Sequence, residues 1–383
     1  MMIVSRLLYA ALCLVLAAIV LVSGSGAILA LLAALLLLPL ALLAVDLCGR
    51  KHVSASFRCP VNAKKGESFC MTLRVENASR LPIAAAVCRI RVTNLLTGAS
   101  ETLTRAAAIA PRGSSEIEVH LSSTCSGRVR AELISLRLCD CFRLICVRCD
   151  AQAHGAVTVQ PDTFPMLVSV RTEISCPDES EVYSQEKPGY DLAEPFQLRD
   201  YRDGDSLRQI HWKLSTKYER LISRDPSLPV MRSVLLFWDR RTDVVSKEKQ
   251  DAQAETLVSL GRALLAMDVQ FCVCWNEADE RIVMQTVREL DDLIALLPRL
   301  LSATALQNGP FGAELYCQMA QERDFAHIVY LGESAPALLG QMTQGGLVTA
   351  LVCANEEPAA PEDAVVRCFR PDNAAEALME LEI

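Results

Sequence analysis

Chemistry-bearing residues crowd into one stretch, Arg199 to Arg224 (RDYRDGDSLRQIHWKLSTKYERLISR). It holds seven Lys/Arg, four Asp/Glu, one His and one Trp in 26 positions, within a chain of net charge −8. Gly204-Asp205 is suited to a tight turn, because Gly takes the left-handed backbone position without steric cost. Arg199, Tyr201 and Arg208 are spaced to converge on that turn from its two sides. Guanidinium groups grip carboxylate or phosphate with two parallel hydrogen bonds. Trp212 beside Lys213 sets a flat apolar face next to a cation, a composition common at protein-binding hot spots, and Arg224 closes the stretch. His211 is a residue type that can act as a base near neutrality, but no Ser, Cys or metal-ligand pattern lies nearby for it to activate. Three roles stay open, in descending order of support: a salt-bridged clamp tying this segment to the α/β domain, a partner-docking surface, and a catalytic centre around His211 and Asp205 of an unrecognised hydrolase or transferase.

A second cluster, Cys139, Cys141, Cys146 and Cys149, has the form C-x-C-x4-C-x2-C. Zinc ribbons normally join two knuckles across a longer loop. On strands, Cys139 and Cys141 share a face while Cys146 and Cys149 fall on opposite faces, so structural thiols are the favoured reading. The chain has 16 cysteines, scattered throughout, and in a reducing compartment they serve as small buried hydrophobes. There is no phosphate loop, no Gly-x-Ser-x-Gly elbow and no His-Glu-x-x-His. A non-catalytic protein without a cofactor is expected.

The elements that must position these residues begin with two uncharged runs, Leu7–Val22 and Ala27–Val45. Each approaches the ~20 residues that cross a hydrocarbon core of about 30 Å, and Ser23-Gly24-Ser25-Gly26 joins them. They raise the mean hydropathy of the chain to +0.24 and predict a transmembrane hairpin over residues 1–50. The first run also fits a signal peptide, with the second as a stop-transfer segment. Arg6 precedes the hairpin and Arg50, Lys51, Arg58, Lys64 and Lys65 follow it, so the positive-inside rule places both flanks in the cytoplasm. That topology removes Asn77-Ala78-Ser79 as a glycosylation site. A pI near 5.3 argues against a general nucleic-acid surface.

Residues 51–160 read as a β-sandwich. Phe69, Met71, Leu73 and Val75 alternate with polar positions, as do Ile117, Val119 and Leu121, and then Ile134, Leu136 and Leu138. Residues 161–232 read as a linker, with Pro161, Pro165, Pro177 and Pro188 and an acidic run at Asp178–Glu181, followed by the charged stretch. From 233 to 383 strand and helix patterns alternate. Strands are expected at Ser233–Trp238, Val269–Trp275, Ala326–Leu331, Gly346–Cys353 and Val365–Phe369, and helices at Lys247–Met267 and Val287–Leu301. That alternation implies an open α/β sheet with helices on both faces.

Tyr190-Asp191-Leu192-Ala193-Glu194-Pro195-Phe196, Leu198 to Asp205, and Arg208 to Ser215, with Leu221 and Arg224, resemble the signature of the domain-of-unknown-function 58 family. The hairpin, β-domain and α/β domain resemble that family's layout over nearly the whole chain. Asp140-Cys141-Phe142-Arg143-Leu144 stands where its members carry Asp-Pro-Phe-Gly-Leu, and Asp203 replaces a proline before Gly204-Asp205. The resemblance implies a von Willebrand factor A-like C-terminal domain. It also implies partnership with a MoxR-type AAA+ ATPase or a transglutaminase-like membrane protein, and hence a membrane scaffold or adaptor. In von Willebrand factor A domains an Asp-x-Ser-x-Ser sequence after the first strand holds Mg²⁺ through oxygen ligands. Here that place reads Asp239-Arg240-Arg241-Thr242-Asp243. Asp239 and Asp243 are the candidate ligands of a cation-dependent binding module, but Arg241 in the first serine position repels a cation. Asp239 paired with a neighbouring arginine is the favoured alternative.

Overall fold

The computed structural model describes residues 2–170, 183–202, 205–229, 232–319, 325–343, 346–355 and 364–383. The chain forms two compact units, Met1–Pro161 and Asp162–Ile383. Pro177 and the acidic run at Asp178–Glu181 lie outside the described residues, as do Asp203 and Gly204.

The first unit starts with helices α1 (Met2–Ser23) and α2 (Gly26–Gly49). They are joined by Gly24-Ser25 alone, with Gly24 at φ 61°. Both are long and apolar enough to cross a membrane, and the Tyr9 hydroxyl donates to the Leu35 carbonyl across the pair. A single 3-10 turn, Arg50–His52, leads into the sheets.

Nine strands follow: β1 (Val53–Arg58), β2 (Asn62–Lys64), β3 (Ser68–Asn77), β4 (Ile83–Asn94), β5 (Ser100–Ile109), β6 (Ser114–Ser122), β7 (Gly127–Cys139), β8 (Cys146–Cys149) and β9 (His154–Gln160). One sheet runs β1-β3-β6 and the other β2-β9-β7-β4-β5, with β8 paired to β7. Met71, Leu73, Val75 and Val119 from the first sheet share one core with Cys88, Ile90, Leu136 and Val157 from the second. Each fully buried aliphatic side chain contributes about 1.5–3 kcal/mol. The expected alternation holds along β3. In β7 it breaks at Ile134, where the register with β4 skips a residue and Leu133 turns inward instead. A β-bulge adds one residue to one strand and reverses the facing pattern beyond it. Leu136 and Leu138 are buried as expected; Ile134 is not.

At the β7–β8 turn the Asp140 carboxylate accepts from the backbone N–H of Phe142 (2.8 Å), Leu144 (3.2 Å) and Ile145 (2.6 Å). Arg143 sits at φ 55°, in the left-handed region that Gly occupies more easily. Cys139 and Cys146, opposite each other in the β7–β8 register, form a disulfide. That corrects the expectation of reduced thiols for these two, because strand pairing brings their side chains together. Cys149 is buried and Cys141 exposed, so the four cysteines do not converge as zinc ligands.

The second unit contains β10 (Leu167–Ser169), β11 (Tyr183–Asp200), α3 (Trp212–Tyr218), β12 (Ile222–Pro229), β13 (Arg232–Trp238), β14 (Arg241–Thr242) and α4 (Lys247–Ala266). After these come β15 (Phe271–Asn276), β16 (Ile282–Val287), α5 (Leu290–Leu300), β17 (Leu306–Gln307), α6 (Gly312–Gln318), β18 (Phe325–Gly332), β19 (Leu347–Cys353), β20 (Val365–Phe369), α7 (Ala374–Ala377) and β21 (Glu380–Glu382). The main sheet runs β16-β15-β13-β18-β19-β20, parallel except for the edge strand β16. Alternate β13 residues serve opposite faces. Phe237 packs on Tyr316 of α6 with ring centroids 5.6 Å apart, while Trp238 Nε1 donates to Gln253 of α4 at 3.0 Å. Strand β16 lies in the interval before α5 to which no element was assigned, and α5 starts at Leu290 rather than Val287. The interval read as linker contains the ladder of β11 with β12, and β10 pairs with β21 near the C-terminus.

Candidate functional site

The charged stretch is the connection between β11 and β12. Antiparallel pairing places Arg199 opposite Ser223 and Gln197 opposite Asp225, so Arg199 and Asp225 are diagonal neighbours. The Arg199 guanidinium makes two parallel bonds to Asp205, Nη1 to Oδ2 at 2.7 Å and Nη2 to Oδ1 at 2.8 Å. Its Nε donates to Asp225 Oδ1 at 3.0 Å. The Arg202 backbone N–H adds a bond to Asp205 Oδ2 at 2.9 Å, closing the turn. With one guanidinium held by two carboxylates, little donor capacity is left for an outside anion. The Arg199 hydrogen bond, reinforced by the Arg202 N–H, pulls the Asp205 carboxyl down to about 2. Asp205 in turn raises the pKa of Arg199.

The remaining sequence-derived residues separate into two groups. Tyr201 joins the clamp: its N–H donates to the Leu221 carbonyl at 3.0 Å, and its hydroxyl reaches the Asp205 carbonyl at 3.5 Å. His211 caps α3: its backbone N–H bonds the Ile222 carbonyl at 2.8 Å and its Nδ1 accepts the Leu214 N–H at 3.4 Å, which occupies that ring nitrogen. Arg224 is half-buried on β12. Arg208 and Lys213 are exposed. Arg208 lies in the 3-10 turn Leu207–Gln209, where its backbone N–H bonds Ser206 Oγ, and among the described residues no bond joins its exposed side chain to the Arg199–Asp205 pair. Trp212 is 61% exposed, as are Leu207 at 68% and Tyr218 at 55%. Sequence reading missed Leu207 and Tyr218, which lie on the 3-10 turn before α3 and at its last position; large apolar side chains within a charged stretch were the available signal.

Asp239 directly follows β13 at the C-terminal edge of the sheet, where open α/β sheets bind ligands. It is 1% exposed. Oδ1 accepts from the Arg241 N–H at 3.0 Å and from Asn276 Nδ2 at 3.3 Å. Oδ2 accepts from the Gly312 N–H and from the Tyr330 hydroxyl, both at 2.8 Å. A Cβ at Gly312 would meet Phe237 Cε1 at 2.9 Å, so only glycine allows its N–H this approach. Burial raises the Asp239 pKa against these four donors, and burial together with Asp239 raises that of Tyr330. Both oxygens are committed to neutral donors and none is left for a cation. Asp243 lies outside this shell, with its side chain 77% exposed and paired with Arg241 at 3.3 Å. The expected pairing of Asp239 with an arginine side chain is replaced by a bond from the Arg241 backbone. The Arg241 guanidinium instead covers the Phe311 ring at 3.9 Å.

Arg240, which sequence reading passed over, is 1% exposed and lies 4.0 Å above the Trp238 ring. Its Nη2 donates to the Ala303 carbonyl at 3.1 Å, while Nε and Nη1 have no partner among the described residues. Burial pushes its pKa down to about 9.

No known protein family matches the sequence, and no curated protein does. Three solved structures give partial likenesses. A CARDB domain from Pyrococcus furiosus, crystallised in complex with di-metal ions, is 12% identical, with 28% of this chain and 86% of that one covered and a TM-score of 0.22. A cohesin module from a Clostridium perfringens family 33 glycoside hydrolase is 10% identical over 28% of this chain and 96% of its own, at 0.23. A PapD-like domain of human CEP192 is 11% identical over 29% and 86%, at 0.21.

Proposed function

We propose that this chain is a membrane-anchored scaffold that presents the β11–β12 connection to a protein partner, and that it performs no catalysis itself. The observation that carries this reading is the exposure of Trp212 and Tyr218 at the two ends of α3 and of Leu207 in the preceding 3-10 turn, with Arg208 and Lys213 exposed beside Leu207 and Trp212 in sequence. Aromatic anchors rimmed by charge are the composition of binding hot spots. The Arg199–Asp205–Asp225 clamp holds the segment in shape before binding, which lowers the ordering cost of association.

The partner we favour is a MoxR-type AAA+ ATPase, with a transglutaminase-like membrane protein as the second candidate. Both follow from the resemblance to the domain-of-unknown-function 58 family. The order of the main sheet, with one antiparallel edge strand and an aspartate after its first strand, supports the von Willebrand factor A-like reading of the C-terminal domain. Basic residues on both flanks of the helical hairpin support a cytoplasmic location for the bulk of the chain.

The test is affinity purification of the full-length protein from detergent-solubilised membranes, beside a Leu207→Ser/Trp212→Ala variant. Both side chains are exposed, so the variant keeps its melting temperature. Recovery of an AAA+ ATPase with the wild type and its loss from the variant supports the docking surface. Retention by the variant overturns it. The association weakens with added salt, because electrostatic pairing at an exposed rim is screened.

A further inference from the structure

We propose that Cys70, Glu118 and His120 form a Zn²⁺ site on the solvent face of the β1-β3-β6 sheet. This inference stands apart from the docking surface, which lies in the other unit. The register places Cys70 directly opposite His120, with Glu118 two residues along β6 and therefore on the same face. The inward positions of both strands, Phe69, Met71, Val119 and Ile117, fill the core. The outward row of β3 is Ser68, Cys70, Thr72, Arg74 and Glu76, so Cys70 is the one thiol among charged and hydroxyl side chains. Cys70 is half-buried on that row and stands across from the only histidine of β6.

The donor atoms of the three side chains lie within 4.8 Å of one another. His120 Nε2 is 3.3 Å from Glu118 Oε2, and the two side chains are 72% and 65% exposed. Zinc binds S, N and O donors at about 2.0–2.3 Å in a tetrahedron. His120 and Glu118 are exposed, so their side chains have room to rotate from the observed spread towards those distances. A thiolate, a carboxylate and a neutral imidazole balance the charge of a dication. Binding releases the thiol proton to solvent, so affinity rises with pH. β6 is an edge strand of its sheet, which leaves the fourth position open to water or an incoming ligand. This mixed donor set suits a borderline ion and not the hard Mg²⁺ or Ca²⁺.

The experiment uses the full-length, reduced, metal-stripped protein in detergent, titrated with Zn²⁺ by calorimetry and with Co²⁺ as an absorbing substitute. We expect tetrahedral Co²⁺ bands with a thiolate-to-cobalt charge-transfer band. Cys70→Ser removes that band, and Cys70→Ser and His120→Ala each weaken Zn²⁺ binding by about tenfold or more, equal to about 1.4 kcal/mol. The solvent-facing control Thr72→Ala changes neither readout. A charge-transfer band that survives Cys70→Ser overturns the site, because another of the cysteines then holds the metal. The absence of any tetrahedral spectrum overturns it as well.

Discussion

Two places in the second unit set aspartates against arginines, and they resolve the charges in opposite ways. In the β11–β12 connection Asp205 is 15% exposed and meets the Arg199 guanidinium directly. At the end of β13 Asp239 is buried, and two arginines follow it in sequence, yet neither guanidinium reaches it; four neutral donors do. Near water an ion pair keeps part of its hydration. In the interior, hydrogen bonds from backbone and hydroxyl groups satisfy a carboxylate without burying a second ion. The surface clamp therefore leaves neighbouring cations such as Arg208 and Lys213 available for a partner, whereas the buried knot leaves no ligand position. A carboxylate at a sheet's C-terminal edge is a binding site only when its own fold does not already use it.

Removing the Asp239 side chain is the most severe way to break this comparison. Asp239→Ala strands the Gly312 N–H, the Tyr330 hydroxyl and the Asn276 amide, and each buried unsatisfied group costs about 1–3 kcal/mol. A loss of about 3–5 kcal/mol is expected in urea unfolding followed by tryptophan fluorescence, since Trp238 and Trp275 are buried in this sheet. Added Mg²⁺ shifts neither wild type nor variant. A Mg²⁺-dependent rise in melting temperature of the wild type would restore the cation-binding reading. Gly312→Ala probes the same knot more gently. Its new methyl meets Phe237 and Asn276 and costs about 1–3 kcal/mol as overpacking.

The clamp gives a smaller effect with a distinct pH signature. Arg199→Ala lowers the melting temperature by several degrees, while Arg208→Ala leaves it unchanged. Equal losses from both would mean that the two arginines share the turn after all. The folded-state pKa of Asp205 is depressed from 3.8 to about 2. Its stabilising contribution is therefore complete above about pH 4 and is lost as pH falls towards 2. The melting-temperature gap between wild type and Asp205→Asn should close over that window. Asp239 has the opposite sign: its pKa is raised, so its own titration favours folding most below 3.8 and less as pH rises. An acid-side gap that widens would reverse the assignment of the two carboxylates.

Much of the scaffold was legible from local patterns. The two apolar runs, the alternation of Phe69 to Val75 and the strand at Val365–Phe369 depend on neighbours in sequence, and they appear where the pattern places them. The bulge at Ile134 was not legible, because its cause is the register against β4. The edge strand β16 was missed for a related reason: its half-exposed IVMQTV lacks the continuous apolar run of a central strand. At the candidate site, Arg199, Tyr201 and Arg208 were read as converging on the Gly204-Asp205 turn, and Arg199 meets Asp205 six residues away. The donors to Asp239 come from β15, α6 and β18, at separations of 37, 73 and 91 residues. No local spacing predicts such a shell, so the metal reading rested on the place of Asp239 in the von Willebrand factor A resemblance.

Asp140 shows how far the logic of the buried knot extends, because it too is satisfied by backbone N–H groups, here in the turn that joins β7 to β8. The turn keeps its shape despite Arg143 at φ 55°, so the carboxylate bonds and the strand pairing on either side hold a backbone that Arg resists. Arg143→Gly relieves that resistance but also frees the unfolded chain, two effects of similar size and opposite sign. The relief exceeds the entropy only if the left-handed geometry is firmly held, and a net gain of about 0.5–1 kcal/mol in urea unfolding of the first unit is the expected result. No gain would mean that the Asp140 bonds are loose and that this carboxylate belongs with the solvent-sharing clamp and not with the buried knot.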